Sequence, residues 1–225
     1  ARRCVGLPAM EDDGMSTKGK VFWRDLARRF RNVWRDLRYG KILGGRQKHQ
    51  AYADRGAYGF NNTDYGVLAQ MFSGLVSADD ILVDVGCGRG RVLNYWLEAF
   101  PRNRIVGIEL DPEYAESTRS RLRRYPQVKV ASGDAVENLP LDGSIYYLFN
   151  PFDAENVRRF VAKLIEDHPA LEKVRVVYYA PEHLDVLGDF PGLDIQSRQV
   201  ELGNVKSYAS RHVRYALIRF KPPRV

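Results

Sequence analysis

Val83-Asp84-Val85-Gly86-Cys87-Gly88-Arg89-Gly90-Arg91 is an apolar, β-branched run carrying one acid, followed by three glycines at alternate positions and the start of an amphipathic stretch. A strand that ends in such a turn and feeds a helix is the opening unit of a ligand-binding parallel sheet. Glycine has a physical role at each alternate position. A side chain at Gly86 or Gly88 would keep a ligand from the backbone at the carboxyl end of the strand, and a turn this tight calls for positive φ. The spacing is G-x-G-x-G and not the G-x-G-x-x-G of dinucleotide sites, which argues against a nicotinamide oxidoreductase.

Outward from this turn, short β-branched runs alternate with amphipathic stretches. Strands are predicted at residues 81–85, 104–109, 128–130, 145–149 and 174–179, and helices at 91–100, 112–125 and 154–167. Near-continuous apolar strands separated by helices imply a parallel sheet covered on both faces. The alternation breaks at the C-terminal end, where residues 195–202 and 212–220 read as two strands joined through Gly203-Asn204. The predicted fold is α/β, a doubly wound and mainly parallel seven-stranded sheet with one antiparallel C-terminal strand. On the N-terminal side, residues 64–77 can form a further helix, and residues 46–63 read as a loop rich in Tyr, Gly and Asn.

Open parallel sheets bind ligands at their carboxyl edge, and Glu109 ends the second strand in Val106-Gly107-Ile108-Glu109. A carboxylate about 20 residues beyond the glycines is the usual partner of ribose hydroxyls, so an adenosine-containing ligand is expected. With Asp84 two residues ahead of the first glycine, the stretch resembles the class I S-adenosylmethionine-dependent methyltransferases. The resemblance covers roughly residues 60–220. It implies that Asp84 fixes the amino-acid end of S-adenosyl-L-methionine, that Gly86, Cys87 and Gly88 form the backbone wall, with Gly90 also among the cofactor-binding residues, and that Glu109, with Leu110 beside it, holds the ribose. Ser132-Gly133-Asp134-Ala135 follows the third strand, where the family places its adenine contact, which implicates Asp134 and Ala135. Asn150-Pro151-Phe152 ends the fourth strand and resembles the Asn-Pro-Pro-aromatic motif of amino methyltransferases, without its second proline. There the Asn, which also borders the cofactor, and the following carbonyl accept hydrogen bonds from the target nitrogen, and the aromatic ring packs on it. In the same family the segment before the first strand folds over the cofactor as a lid, a role open to residues 52–65 and in particular to Asn62 and Tyr65. Residues 1–19 are expected to be a disordered tail, 20–63 a basic amphipathic helix and lid, and 64–225 the cofactor-binding domain.

The 225 residues carry 35 Lys and Arg against 28 Asp and Glu, net +7 at pH 7. That charge sits at one end: residues 1–60 are net +8, with 14 bases against 6 acids, and the remainder is net −1. From Val21 to Tyr39, Phe22, Leu26, Phe30, Val33, Trp34 and Leu37 recur at spacings of three and four between arginines, the pattern of a basic amphipathic helix. Three roles are open to it. Its apolar face can dock on the domain with the arginines solvated, it can lie at an anionic membrane surface, or it can bind phosphate backbones. A nucleic-acid partner would rest on this segment alone, and the methyl acceptor and oligomeric state are not legible.

Two cysteines, Cys4 and Cys87, in unlike contexts support neither a disulfide framework nor a zinc site, and no metal is expected. His49, His168, His183 and His212 are scattered and offer no general base. No apolar run approaches the roughly 18 residues of a membrane span, and a reducing, cytoplasmic setting is expected. A cofactor-binding module without transfer activity, acting as an interaction or membrane-associated scaffold, is the alternative to an enzyme.

Overall fold

The computed structural model describes residues 16–44, 62–150, 152–201 and 214–221. Among these residues seven strands form one sheet: β1 (Ile81–Val85), β2 (Arg104–Glu109), β3 (Val128–Ser132), β4 (Ile145–Phe149), β5 (Arg175–Tyr179), β6 (Leu193–Gln199) and β7 (Arg214–Phe220). Their order is β3-β2-β1-β4-β5-β7-β6. The first five run parallel, and β7 is antiparallel to both β5 and β6. The chain leaves β1 toward β2 on one side and returns to β4 on the other. This reversal opens a crevice at the carboxyl ends of β1 and β4, which is where open α/β sheets bind ligands.

Both faces of the sheet are buried, which explains why its strands read as continuous apolar runs instead of alternating ones. Leu82, Ile105, Tyr147, Val177 and Leu217 point to one side, where they pack with Phe72 and Trp96 of helices α2 (Tyr65–Phe72) and α3 (Arg91–Ala99). Val83, Val106, Tyr146, Leu148, Tyr178 and Ile218 point to the other, against Val157, Phe160 and Leu164 of a later helix, Ala154–Asp167. Helix α4 (Pro112–Leu122) covers β2 and β3, and this later helix is α5. Local sequence explains the helix starts. Asp111 precedes Pro112 and accepts from the backbone N–H groups of Glu113 and Tyr114, and Asp153 accepts from that of Asn156.

Helix α1 spans Thr17–Arg38, with Ser16 accepting from the Gly19 N–H. It starts earlier than Val21, so residues 17–19, assigned to the tail, are helical. Its orientation overturns the reading in which the apolar face packs on the domain. The face that docks is polar. Arg28 and Asn32 donate to Asp64 at 2.7 and 2.6 Å, Arg35 donates to Glu98 at 3.0 Å, and Asp36 is fully buried against Arg91. Phe22, Trp23, Leu26, Phe30, Trp34 and Leu37 point outward. The reason is the partner surface, which presents Asp64, Glu98, Arg91 and the Tyr65 hydroxyl and so selects the charged side of the helix.

The boundaries of other elements differ slightly from expectation. The second helix stops at Phe72, β3 runs on to Ser132, and β6 begins at Leu193 and ends at Gln199. The lid residues Tyr52, Tyr58, Phe60 and Asn61, together with Pro151, His49, His212 and Cys4, lie outside the described residues.

Candidate active site

The turn after β1 is built by backbone conformation. Gly86, Gly88 and Gly90 have φ of 78°, 51° and 76°, the left-handed region open to glycine at little cost. The N–H groups of Gly86 and Cys87 both donate to the Ile108 carbonyl on β2, at 2.9 and 2.8 Å, and Gly90 N–H closes the turn on the Cys87 carbonyl at 2.8 Å. Gly90 also serves packing, because a Cβ there would lie 2.7 Å from Thr118 Cγ2 on α4. Gly107 plays the same part opposite Cys87, whose Sγ would stand 2.8 Å from an added Cβ. The Cys87 thiol is buried, and burial, with Asp84 and Glu109 nearby, pushes its proton affinity up, so it stays a thiol.

A cleft opens beside this turn, lined by Asn62, Thr63, Asp84, Cys87, Tyr147 and Phe149, the backbone of Gly86 and Gly88, and the edge of α3 at Arg91 and Val92. Asp84 belongs to this lining, 2% exposed, and its Oδ2 meets no donor among the described residues. Burial, reinforced by the Glu109 carboxylate, raises its pKa well above the usual carboxylate range. Across from Asp84, at the paired position of β4, Tyr147 shares a 2.7 Å hydrogen bond with the Thr63 hydroxyl. Burial pushes the Tyr147 phenol up as well, which keeps it a neutral hydrogen-bonding group. Asn62 donates to the Leu43 carbonyl, tying the residues before α2 to the segment after α1.

Glu109 ends β2 with both carboxylate oxygens engaged: Oε2 accepts from Gly88 N–H at 2.7 Å and Oε1 from Asp111 N–H at 2.9 Å. It thereby fixes the glycine turn in place. Leu110 follows Glu109, half-buried. Asp134, after β3, caps its own turn by accepting from Val136 and Glu137 N–H at 2.8 and 3.2 Å, with Ala135 buried beside it.

Asn150 ends β4 in a left-handed conformation, φ 45°, and accepts through Oδ1 from the Tyr178 hydroxyl at 2.9 Å. Ala180, just past the neighbouring β5, is also left-handed at φ 48°. Backbone strain of this kind concentrates at functional sites, and here both residues sit on the sheet edge that carries the cleft. Phe152 turns from this edge toward α5, its ring centroid 6.3 Å from that of Phe160. Of the two phenylalanines it is Phe149 that lines the cleft, its ring centroid 4.7 Å from that of Tyr179.

Asp84, Gly86, Cys87, Gly88 and Asn62 are thus brought together around one cleft. Glu109 borders it through Gly88. Gly90 is structural, and Tyr65 lies outside the lining, its hydroxyl donating to Asp36 at 2.9 Å. Thr63, inside the expected lid segment, is in the lining together with Arg91, Val92, Tyr147 and Phe149, for which no ligand role was expected. The signal for two of them was available, since alternation along β4 places Tyr147 and Phe149 on the face that Asp84 occupies in β1. Among the described residues no three of His, Cys, Asp and Glu cluster to hold a metal, and no helix is long and apolar enough to cross a membrane.

Residues 82–166 match the family model described as a methyltransferase domain. Over 79 residues the chain is 33% identical to the tRNA1(Val) (adenine(37)-N6)-methyltransferase of Porphyromonas gingivalis (strain ATCC BAA-308 / W83), a match covering 32% of this chain and 31% of that protein. The chain thus spans about a third of the length of this curated relative. Its fold is similar to that of the mitomycin 7-O-methyltransferase MmcR (TM-score 0.54, 21% identity, 69% of this chain and 52% of that one). It is also similar to cofactor-bound Rv0187 from MTB (TM-score 0.52, 17% identity, 94% and 92%). A third similar fold is the O-methyltransferase TomG of Streptomyces achromogenes in complex with SAM (TM-score 0.52, 16% identity, 86% and 99%).

Proposed function

We propose that this chain is a class I S-adenosylmethionine-dependent methyltransferase that transfers a methyl group from that cofactor to a nitrogen atom of its acceptor, a reading supported by the methyltransferase-domain match over residues 82–166. The observation that carries the cofactor reading is the buried Oδ2 of Asp84, without a donor among the described residues, beside a turn of three left-handed glycines. When bound, S-adenosylmethionine supplies an electrophilic methyl group on a sulfonium. The residues present fit it. Asp84 would take the amino-acid end, the Gly86–Gly88 backbone would allow close approach, Glu109 would accept from the ribose hydroxyls, and Asp134 with Ala135 would border the adenine. Methyl transfer is an in-line displacement and asks for position and dryness more than for acid-base groups. Arg91 and Val92 close one side of the cleft, and Thr63 and Tyr147 place neutral hydroxyls over it.

The nitrogen assignment rests on Asn150. Its amide is oriented by the Tyr178 hydroxyl, and its Oδ1 keeps a second lone pair with which to accept from an N–H acceptor group. Phe149, lining the cleft one residue earlier, supplies the ring that the motif otherwise assigns to Phe152. The curated relative carries out N6 methylation of an adenine, which is consistent with this reading.

Calorimetric titration with S-adenosylmethionine and S-adenosylhomocysteine, with NADH as control, tests the cofactor. Micromolar binding of both sulfur ligands supports the proposal, and heat from NADH alone would refute it. Asn150→Gly, which keeps the left-handed backbone accessible, is expected to retain S-adenosylhomocysteine binding and to lose methyl incorporation into amine and nucleobase acceptors. Unchanged incorporation would remove Asn150 from the reaction.

A further inference from the structure

Helix α1 is amphipathic in the reverse of the usual sense for a docked helix. Arg28, Asn32, Arg35 and Asp36 face the domain, and at 100° per residue Phe22, Trp23, Leu26, Phe30, Trp34 and Leu37 lie on the opposite side. Phe30 is 70% exposed, and the other five are each exposed by 45% or more. The seam runs from Phe22 to Leu37 of this 22-residue helix, about 23 Å along its axis. The polar dock holds this orientation. Asp36 accepts from Arg91, the Tyr65 hydroxyl and the Leu43 N–H in a buried network, and rotating the seam inward would break all of these bonds.

Charge decides what covers the seam. Arg24, Arg31 and Arg38 recur every seven residues and so run along one shoulder of it, exposed, while Arg29 stands exposed on the other shoulder. The two acids of the helix are both occupied, Asp25 by Arg28 and Arg29, and Asp36 by Arg91. A second copy docked seam to seam would set arginine rows beside each other with no carboxylate of the helix to meet them. A phosphate backbone would satisfy the arginines and leave the Trp and Phe side chains in water. A lipid surface carrying anionic headgroups satisfies both sets at once, with aromatic rings at the headgroup boundary and guanidinium groups on the phosphates. We infer that α1 is an interfacial helix that seats this protein on an anionic bilayer, with the cleft-bearing domain held above it through the Asp36–Arg91 network.

The test is co-sedimentation of the full chain with vesicles of phosphatidylcholine alone and of phosphatidylcholine with about one third phosphatidylglycerol. Binding to the anionic vesicles is expected, at least about tenfold stronger than to the neutral ones and weakened by salt. The double variant Phe30→Ser, Trp34→Ser is expected to lose about tenfold or more of that binding, and Arg24→Glu, Arg31→Glu to lose the preference for anionic lipid. Circular dichroism and S-adenosylhomocysteine affinity should stay as in the wild type, because none of these four side chains lines the cleft. No sedimentation with either vesicle would overturn the inference, as would equal binding to both. In place of vesicle binding, a dimer broken by the Phe30/Trp34 variant would assign the seam to a second copy. Retention of an RNA oligonucleotide that depends on Arg24 and Arg31 but not on Phe30 and Trp34 would assign the shoulder to phosphate backbones.

Discussion

Two aspartates of this protein are equally buried and oppositely furnished. Asp36, fully buried between α1 and α3, accepts from Arg91 Nε and Nη2 at 3.0 and 2.5 Å, from the Tyr65 hydroxyl at 2.9 Å and from the Leu43 N–H at 3.0 Å. Asp84, 2% exposed at the end of β1, keeps an Oδ2 without a donor among the described residues and has another carboxylate, Glu109, as its charged neighbour. Burial alone therefore says nothing about role. A buried acid whose acceptor sites are filled from within the chain is part of the scaffold, and one whose sites are left over marks where something from outside is held.

Removing the satisfied member should hurt most. Asp36→Ala leaves the Arg91 guanidinium buried without its partner and is expected to lower stability by about 3–5 kcal/mol, read as a shift of the urea midpoint at unchanged slope. A loss below about 1 kcal/mol would mean that water reaches the network. Asp84→Asn should do the reverse. Stability is maintained at pH 7, while affinity for S-adenosylhomocysteine falls about tenfold to a hundredfold, the range of a charge-assisted hydrogen bond.

The pH dependence sharpens the contrast. Asp84 has its pKa raised in the folded state, so above the unfolded value near about 3.9 the native state binds more protons than the unfolded one. Across the window between that value and the raised one, the contribution of Asp84 to stability falls as pH rises. D84N should abolish this fall, and urea midpoints measured for both proteins through the window will reveal it. An identical pH profile for the two proteins would show that the carboxyl group is not desolvated.

Smaller effects belong to the positioning residue and to the exposed seam. Tyr178→Phe removes the hydrogen bond to Asn150 Oδ1 and is expected to lower stability by about 1 kcal/mol. It should also lower methyl transfer without changing cofactor affinity. Loss of cofactor binding in this variant would mean that Tyr178 supports the whole cleft and not Asn150 alone. Phe30→Ser, at a side chain 70% exposed, should change stability by no more than about 0.5 kcal/mol. A larger loss would place Phe30 in contact with the domain in solution.

The glycine turn shows how much of the site could be read from residues alone. Three alternate glycines after an apolar strand require a backbone with no side chains and positive φ, and all three adopt it. Strand β1 and helix α5 fall on the predicted residues because each is long enough in its own period to be recognised locally. The pairing of Thr63, inside the expected lid segment, with Tyr147 escaped notice for the opposite reason. They are 84 residues apart, and nothing local to either announces that their hydroxyls meet at 2.7 Å over the cleft.

Helix α1 divides the two kinds of information most clearly. Its amphipathic period is a property of 22 consecutive residues and was visible in them, as were the strand series, the sheet class and the carboxyl-edge glycine turn, since each depends on neighbours in the chain. Which face of α1 turns inward depends on Asp64, Glu98 and Arg91, contributed by segments remote in sequence, and a buried pairing between charged groups outweighed the apolar seam's tendency to dock. The same holds for the two aspartates. Their chemical type and polar character are written in the chain, but whether the acceptor sites of each are filled is decided only when the tertiary structure brings donors to one and a second carboxylate to the other.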